Sequence, residues 1–183
     1  SGMQGTSRQG VQQFLSSVLG VSISTGAIQK VIDRVSEAML PGYEKIGQIA
    51  RSGKVGYIDE TSWFKSGALH WLWVMATSSV AFYLVHSNRS REAFKELIGY
   101  WQGILVSDNF RVYQNWVEKR QNCLAHFIRK ARALSENADS HVSKFGQEML
   151  TQLQLLCHFA KAPPTARKWK NFYKRFLLLL FTH

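Results

Sequence analysis

Acidic residues are scarce in this chain of 183 residues. Twelve Asp and Glu stand against 23 Lys and Arg, which gives a formal net charge of +11. No acid follows Glu148, whereas basic residues continue as far as Arg175. A positive field attracts polyanions, of which nucleic acid is the commonest, although many basic proteins bind none. The charge therefore indicates a nucleic-acid partner without establishing one.

Cysteines and long apolar runs are scarce as well. The two cysteines, Cys123 and Cys157, argue against a disulfide framework and suit the reducing cytoplasm. The longest apolar run, 176–181, is far shorter than the ~18 residues that a membrane span needs. We therefore expect a cytoplasmic protein without a membrane partner. Its 45% of apolar residues can bury a sizeable core.

The first 50 residues are predicted to form a separate N-terminal helical pair. Apolar residues recur at helical spacing over 11–18, and Gly20 can end that helix. Ser24 can cap a second helix, which Pro41 and Gly42 are expected to end.

The link between these two helices is short and resembles that of a helix-turn-helix. In one interpretation the pair contacts DNA through Gln29, Lys30 and Arg34. In the other, which we favour, it is a helical hairpin that packs on the main domain.

Residues 51–136 are predicted to form an α/β core around a mixed sheet. Three strands joined by short turns form an antiparallel meander at Val55–Glu60, Leu69–Thr77 and Val80–His86. A helix capped by Ser90 and ended by Gly103 leads to the apolar strand Ile104–Val106. A strand reached through a helix is usually parallel to a neighbour, so parallel strands follow the antiparallel ones.

Helices dominate the remainder of the chain. We expect a short helix at 110–116, a brief strand near residue 120 and a helix at Leu124–Ser135. Residues 137–183 are predicted to be a C-terminal helical insertion, interrupted at 162–167.

Two apolar strands of the core end on acids. Ile58 is followed by Asp59 and Glu60, and Val106-Ser107 is followed by Asp108. If these strands are parallel neighbours, about 4.8 Å apart, both carboxylates lie at the edge where α/β sheets bind ligands. A shared divalent cation would relieve their repulsion, so the pattern indicates a Mg²⁺ site for phosphoryl transfer on nucleic acid.

Two alternatives remain open at these acids. Asp108 could instead cap a helix that begins at Asn109, and the pair Asp59-Glu60 could be a solvated strand end. Side chains alternate along a strand, which places Asp59 on the side of Tyr57 and Glu60 on the side of Ile58. Periodicity does not say which of the two acids faces Asp108.

The spaced motifs together resemble the catalytic domain of the insertion-sequence 66 family of bacterial DDE transposases. They are "YIDETSW" followed by "HWLWV", then "SREAFKELIGYWQGILVSDNFRVY" and "RQNCLAHFIRKA". The resemblance runs from about Gly10 to Ser135.

The resemblance implies an RNase H-like fold and Mg²⁺- or Mn²⁺-dependent cutting and joining of double-stranded DNA at the ends of a mobile element and at its target. Asp59 matches the first catalytic and metal-binding Asp, and Asp108 the second. It further implies a bacterial, nucleoid-associated protein and suggests a homodimer.

DDE enzymes need a third carboxylate on a late helix, and this sequence departs from that pattern. Glu136, Asp139 and Glu148 lie in contexts that do not match the motif. We therefore expect an incomplete catalytic site in a fragment or a truncated transposase. Two other functions stay open: a catalytically inactive DNA-binding module, and an RNase H-like nuclease that cuts without strand transfer.

A Cys-x-x-His pair, Cys123 and His126, begins the helix after the last strand. Zinc would need two more ligands, and Cys157-His158 cannot easily chelate from adjacent helical positions. We expect His126, Arg129 and Lys130 to share the helix face that meets the site or DNA, although a solvated basic face fits equally.

Two further features of the sheet have open roles. Arg89, just before the Ser90 cap, could contact phosphate or be surface charge. Trp71 and Trp73 lie on one sheet face, and we expect core packing rather than base stacking there.

Overall fold

A computed structural model describes residues 5–65, 67–116 and 119–181. Its elements, in chain order, are α1 (Arg8–Leu19), α2 (Thr25–Ser52), β1 (Val55–Lys65), β2 (Ala68–Ala76), β3 (Ala81–His86), α3 (Arg91–Ile98), β4 (Ile104–Ser107), β5 (Arg120–Asn122), α4 (Leu124–Ser135), α5 (Ser140–Lys161) and α6 (Ala166–Phe181). No helix in these residues is both long and apolar enough to cross a membrane.

The strands form one five-stranded mixed sheet in the order β3-β2-β1-β4-β5. β2 and β3 are antiparallel, with Trp73 opposite Leu84, whereas β4 and β5 are parallel, with Val106 opposite Gln121. The predicted α/β class is confirmed, and the arrangement is consistent with an RNase H-like fold. β1 and β4 are neighbours, which is the adjacency that the two-aspartate prediction requires.

Two compact units divide the chain, and β1 contributes to both. The first takes in the chain up to Gly56 together with Glu60–Trp101, and the second takes in Tyr57–Asp59 together with the chain from Gln102. Fully buried side chains mark both cores: Trp73, Met75 and Leu97 in the first, Leu105 and Tyr113 in the second. The division at residues 50 and 136 stays a prediction.

Helix α2 is longer than predicted. It continues through Pro41 to Ser52, although Pro41 was expected to end it. Packing explains the difference, because a Cβ on Gly47 would lie 3.0 Å from the ring of Phe82 in β3. The Tyr43 hydroxyl also donates to the backbone oxygen of Tyr83 at 2.8 Å. Such tertiary contacts offset the hydrogen bond that proline cannot make.

Helix α1 contacts the link before α2 and the first half of α2. Gln12 Nε2 donates to the Ile23 oxygen at 2.9 Å, and Arg8 donates to Gln29 at 2.6 Å. The predicted apolar stripe of α1 is partly exposed: Phe14 is 56% and Val18 62% exposed, whereas Val11 and Leu15 are half-buried. The second half of α2 packs on β3. The hairpin interpretation of the helical pair as a whole stays a prediction.

Helix α3 ends earlier than predicted. Its hydroxyl cap at Ser90 is confirmed, since the Ser90 side chain accepts from the Ala93 N–H. The helix stops at Ile98 because Gly99 takes φ +56, ahead of the predicted stop at Gly103. Trp101 lies beyond the helix but is buried, and its Nε1 donates to the Gly53 oxygen at 2.6 Å.

The helix predicted at 110–116 is a series of turns. The Tyr113 N–H donates to the Phe110 oxygen and the Trp116 N–H to the Tyr113 oxygen, both at 3.0 Å and three residues apart. Trp116 Nε1 also donates to the Gly103 oxygen. This hydrogen bond anchors the segment 110–116, for which a regular helix is predicted, to the residue before β4.

Candidate active site

Burial along β1 separates the two adjacent acids. Ile58 is 2% exposed, whereas the Asp59 side chain is 51% exposed and the Glu60 side chain is fully buried. The burial therefore follows the alternation read from the sequence. Asp59 Oδ2 lies 3.8 Å from His126 Nε2, so Asp59 is the acid that faces α4.

Glu60 is held in a buried ion pair. Arg89 donates to Glu60 Oε1 from Nε at 2.8 Å and from Nη2 at 2.5 Å. The guanidinium also lies over the Trp71 ring, 5.0 Å from its centroid. Such contacts compensate the desolvation of a carboxylate. In the sequence, the position of Glu60 on the same side of the strand as Ile58 indicated that it is buried. Its ion-pair partner Arg89, 29 residues away, could not be predicted from a local sequence pattern.

Asp108 sits immediately after β4, and its backbone is held firmly. Asp108 Oδ1 accepts the Phe110 N–H at 2.9 Å, a local turn of the kind weighed as an alternative to metal binding. Arg120 Nη2 donates to the Asn109 side chain at 2.8 Å and to that of Asn122 at 2.6 Å. Because a carboxylate has several lone pairs, this turn fixes Asp108 without using all its ligand capacity.

Helix α4 begins beside the end of β4. The Cys123 N–H donates to the Ser107 oxygen at 2.6 Å, and His126 follows one turn later. Asp108 and His126 line the same cavity of about 50 Å³, together with Asn122 and Lys130. The structure thus brings Asp59 and Asp108, 49 positions apart in the sequence, to the surroundings of one histidine.

His126 is only loosely engaged at this place. The 3.8 Å separation from Asp59 is longer than a hydrogen bond and amounts to an ion pair only when the imidazole is protonated. Its Nδ1 is buried and has no hydrogen-bond partner among the described residues. A buried polar atom of this kind is costly unless it meets a ligand or water, so the surroundings of His126 suit a polar occupant.

Asp59 and Asp108 offer carboxylate oxygens, the kind of donor that magnesium binds. Mg²⁺ prefers oxygen ligands and is commonly held by one or two carboxylates, with water and substrate phosphate filling the other positions. The described residues contain no group of three or more His, Cys, Asp and Glu placed to hold a metal. Asp139 is engaged elsewhere, since it caps α5 by accepting the His141 and Val142 N–H groups. Cys123 and Cys157 are both free thiols.

The basic residues predicted to contact DNA differ in their surroundings. Lys30, Arg34, Arg129 and Lys130 are exposed, and Lys130 lines the cavity that also contains Asp108. Arg89 is already engaged by Glu60 and Trp71. The expectation that Trp73 is a core residue is confirmed, since it is fully buried.

Residues 3–179 match the family model described as Transposase IS66 family. The chain belongs to the IS66 family of transposases. The match extends beyond the resemblance noted in the sequence, takes in both aspartates and reaches into α6. No curated protein matches the chain.

Proposed function

We propose that this IS66-family chain carries the DNA-cleaving and strand-joining centre of a transposase, with Mg²⁺ or Mn²⁺ held by Asp59 and Asp108. One observation carries the proposal. Asp59 lies 3.8 Å from His126, and Asp108 lines the same small cavity as His126. Each acid follows an apolar run in the sequence, although β1 continues past Asp59 to Lys65 and does not end at Glu60 as predicted. Their common neighbour His126, in a family whose members transpose DNA, supports the proposal.

The residues present have distinct roles in this proposal. A divalent ion, when bound, polarises a phosphodiester and activates water or a 3′-hydroxyl as the nucleophile. Asp108 is pre-positioned by the Phe110 N–H, which limits the reorganisation that binding would require. His126 faces the same space, and we assign to Lys130, which lines that cavity, a contact with a phosphate of the scissile strand.

The wider DNA contact would rest on exposed cations. We assign phosphate contacts to Arg129 and Lys130 on α4 and to Lys30 and Arg34 on α2, all of them exposed. Double-stranded element ends and target DNA are the proposed partners, bound by a homodimer in the bacterial cytoplasm. Arg89 is the least suitable of the predicted DNA-contacting residues, because moving its guanidinium to a phosphate would break its ion pair with the buried Glu60.

A second candidate function is a DNA-binding module without chemistry. It is favoured by one observation: within the described part of the chain, no third His, Cys, Asp or Glu joins the two aspartates as a metal-binding group. Both candidates predict salt-dependent DNA binding, and they differ in metal-dependent cleavage.

Metal titration of aspartate variants separates the two candidates. In the wild-type protein, Mn²⁺ at about 100 times its Kd should stabilise the fold by about 2.7 kcal/mol. Asp59→Asn and Asp108→Asn should each remove that gain and lower cleavage of element-end DNA at least a hundredfold, with DNA affinity nearly unchanged. Asp139→Asn is the matched control, because Asn also caps helices well.

The possible outcomes assign the function. If neither Mg²⁺ nor Mn²⁺ changes stability or cleavage, the chain is a DNA-binding module without catalytic activity. Cleavage without joining to a target duplex would indicate an RNase H-like nuclease. Equal loss of DNA binding in both aspartate variants would show that the acids are structural.

A further inference from the structure

The far end of the β1–β2 hairpin exposes large aromatic side chains. We call residues 61–65 and 67–70 the distal hairpin. Trp63 is 47% exposed and Phe64 is 75% exposed, and Leu69 on the returning strand is 48% exposed. Successive side chains of a strand point to opposite faces, so this hairpin presents aromatic surface on both of its faces.

Exposure along β1 becomes uninterrupted at the distal hairpin, although Tyr57 near the start of the strand is itself 53% exposed. From Thr61 to Lys65 every residue of β1 is exposed, whereas Gly56 and Ile58 at the start of the strand are buried. On β2, burial resumes at Trp73. Trp63 and Phe64 therefore contribute little to the core, and exposed aromatic surface of this kind commonly marks a contact with a partner.

The charged residues around the distal hairpin indicate which class of partner it contacts. Between Thr61 and Arg91 the sequence has no Asp or Glu, while Lys65 lies at the hairpin and His70 follows on β2. Aromatic side chains beside a lysine, with the nearest acids at Asp59 and Glu60, resemble the composition of surfaces on which nucleobases stack.

We propose that Trp63 and Phe64 stack on unpaired bases of the DNA that the chain processes. The inference rests on the proposed function, and it adds to it a preference for DNA with unpaired nucleotides. β1 also carries Asp59, four residues before Trp63, and four residues of strand span about 13 Å.

Fluorescent DNA tests the contact directly. The probe is a duplex with a four-nucleotide single-stranded overhang that carries 2-aminopurine at its end, compared with the same sequence fully paired. Trp63→Ala and Phe64→Ala should each weaken binding to the overhang about tenfold, since stacking on one aromatic residue typically contributes 5- to 150-fold. The change in 2-aminopurine emission on binding should be lost in the variant that removes the ring stacked on the labelled base, because Trp63 and Phe64 lie on opposite faces of the hairpin. Affinity for the paired duplex should change less than twofold in both variants.

Two control variants make the test specific. Tyr100→Ala removes an aromatic residue that is fully exposed elsewhere, and it should leave both affinities unchanged. Trp63→Phe keeps a stacking ring and should restore most of the overhang affinity. Equal weakening on overhang and duplex by Trp63→Ala, or restoration by Trp63→Leu as well as by Trp63→Phe, would overturn the proposal.

Further readouts separate this contact from the metal site and from a protein interface. Asp59→Asn should abolish cleavage yet keep the 2-aminopurine signal, so a catalytically inactive chain can still confirm the stacking. Loss of metal-dependent stabilisation in Trp63→Ala would contradict a role confined to base stacking. A shift to smaller assemblies in sedimentation equilibrium, with overhang binding unchanged, would show that the hairpin is an interface between copies.

Discussion

At the scale of single residues, the adjacent acids Asp59 and Glu60 serve different purposes. Glu60 is fully buried and held by Arg89, whereas Asp59 is half exposed and faces His126. A buried carboxylate that keeps its charge without its partner is strongly destabilising. The ion pair therefore holds β1 in place and leaves Asp59 as the acid that is accessible to a metal.

Arg89→Met should lower the free energy of unfolding by about 2–3 kcal/mol, somewhat less than for a fully buried pair because the Arg89 side chain is 37% exposed. Adding Glu60→Gln should recover part of the loss, since no charge then remains buried. Urea denaturation of the two single variants and the double variant measures this coupling. Arg129→Met, on the exposed surface of α4, is the control; equal losses from both arginines would refute the argument.

The sequence carried part of this residue-level information. Alternation along β1 correctly placed Glu60 with the buried Ile58, and the ends of two apolar runs pointed to Asp59 and Asp108. The meeting of these aspartates near His126 depends on sheet order and on the start of α4, which are long-range properties. Local sequence patterns do not determine these long-range properties. Only the family resemblance distinguished Asp59 from Glu60 before the structure was known.

At the scale of secondary-structure elements, α4 and α5 pack unusually closely at one glycine. A Cβ on Gly146 would lie 2.3 Å from the Ser135 nitrogen and 2.5 Å from the Leu134 carbonyl carbon. These are backbone atoms at the end of α4, so rotation of a side chain cannot relieve the clash. Helix α5 must therefore carry glycine at this position to keep its approach to α4.

Gly146→Ala should cost about 3 kcal/mol, the upper end of the usual penalty for overpacking. Gly42→Ala is the matched control, because no atom lies within 4 Å of its added Cβ in α2. It should stabilise the protein by about 0.5–1 kcal/mol, since alanine favours helix over glycine. Thermal or urea unfolding gives both values, and a neutral Gly146→Ala would show that the helices can separate without loss.

Helix α3 should show a pH-dependent N-terminus. The pKa of Glu92 is lowered from its usual 4.5, first by a hydrogen bond from its own backbone N–H and then by the Ser90 hydroxyl. A lowered pKa in the folded state means stabilisation that is present above pH 4.5 and is lost as the pH falls through the folded value. The stability difference between wild type and Glu92→Gln should therefore shrink below about pH 4.5. Glu148→Gln, on the exposed surface of α5, is the control.

Elements were predicted better than their ends. The bounds of α4 matched the prediction, because its apolar spacing and flanking residues agree with its packing. The end of α2 did not, since contacts of Gly47 and Tyr43 with β3 outweigh the local effect of Pro41. The turns at 110–116 replaced a helix because Trp116 is anchored to Gly103. In each failure a tertiary contact overrode a local preference.

At the scale of the whole molecule, the charge of +11 should govern how tightly DNA is bound. Each phosphate neutralised by a lysine or arginine releases counterions, so the logarithm of affinity falls by about 0.9 per contact for each tenfold rise in salt. The exposed basic residues of α4 lie beside the candidate active site, whereas other exposed basic residues are distant from it in the sequence. The salt slope, which is the slope of log affinity against log salt concentration, therefore measures how many of these cations contact the duplex, and its change in a variant shows whether the replaced residue is one of them.

Lys130→Gln should reduce the salt slope by about 1 and weaken binding by a similar factor for unrelated duplex sequences, because phosphate contacts carry no base information. Lys130 is chosen because it lines the cavity shared by Asp108 and His126. Lys144→Gln makes the same change of charge on the exposed start of α5 and should leave the slope unaltered. Fluorescence anisotropy between 50 and 200 mM salt measures both slopes over the range in which such contacts dominate. If the two variants behave alike, DNA responds to the net charge of the chain and not to a contact at the candidate site, and the docking of a scissile phosphate beside Asp108 would have to be abandoned.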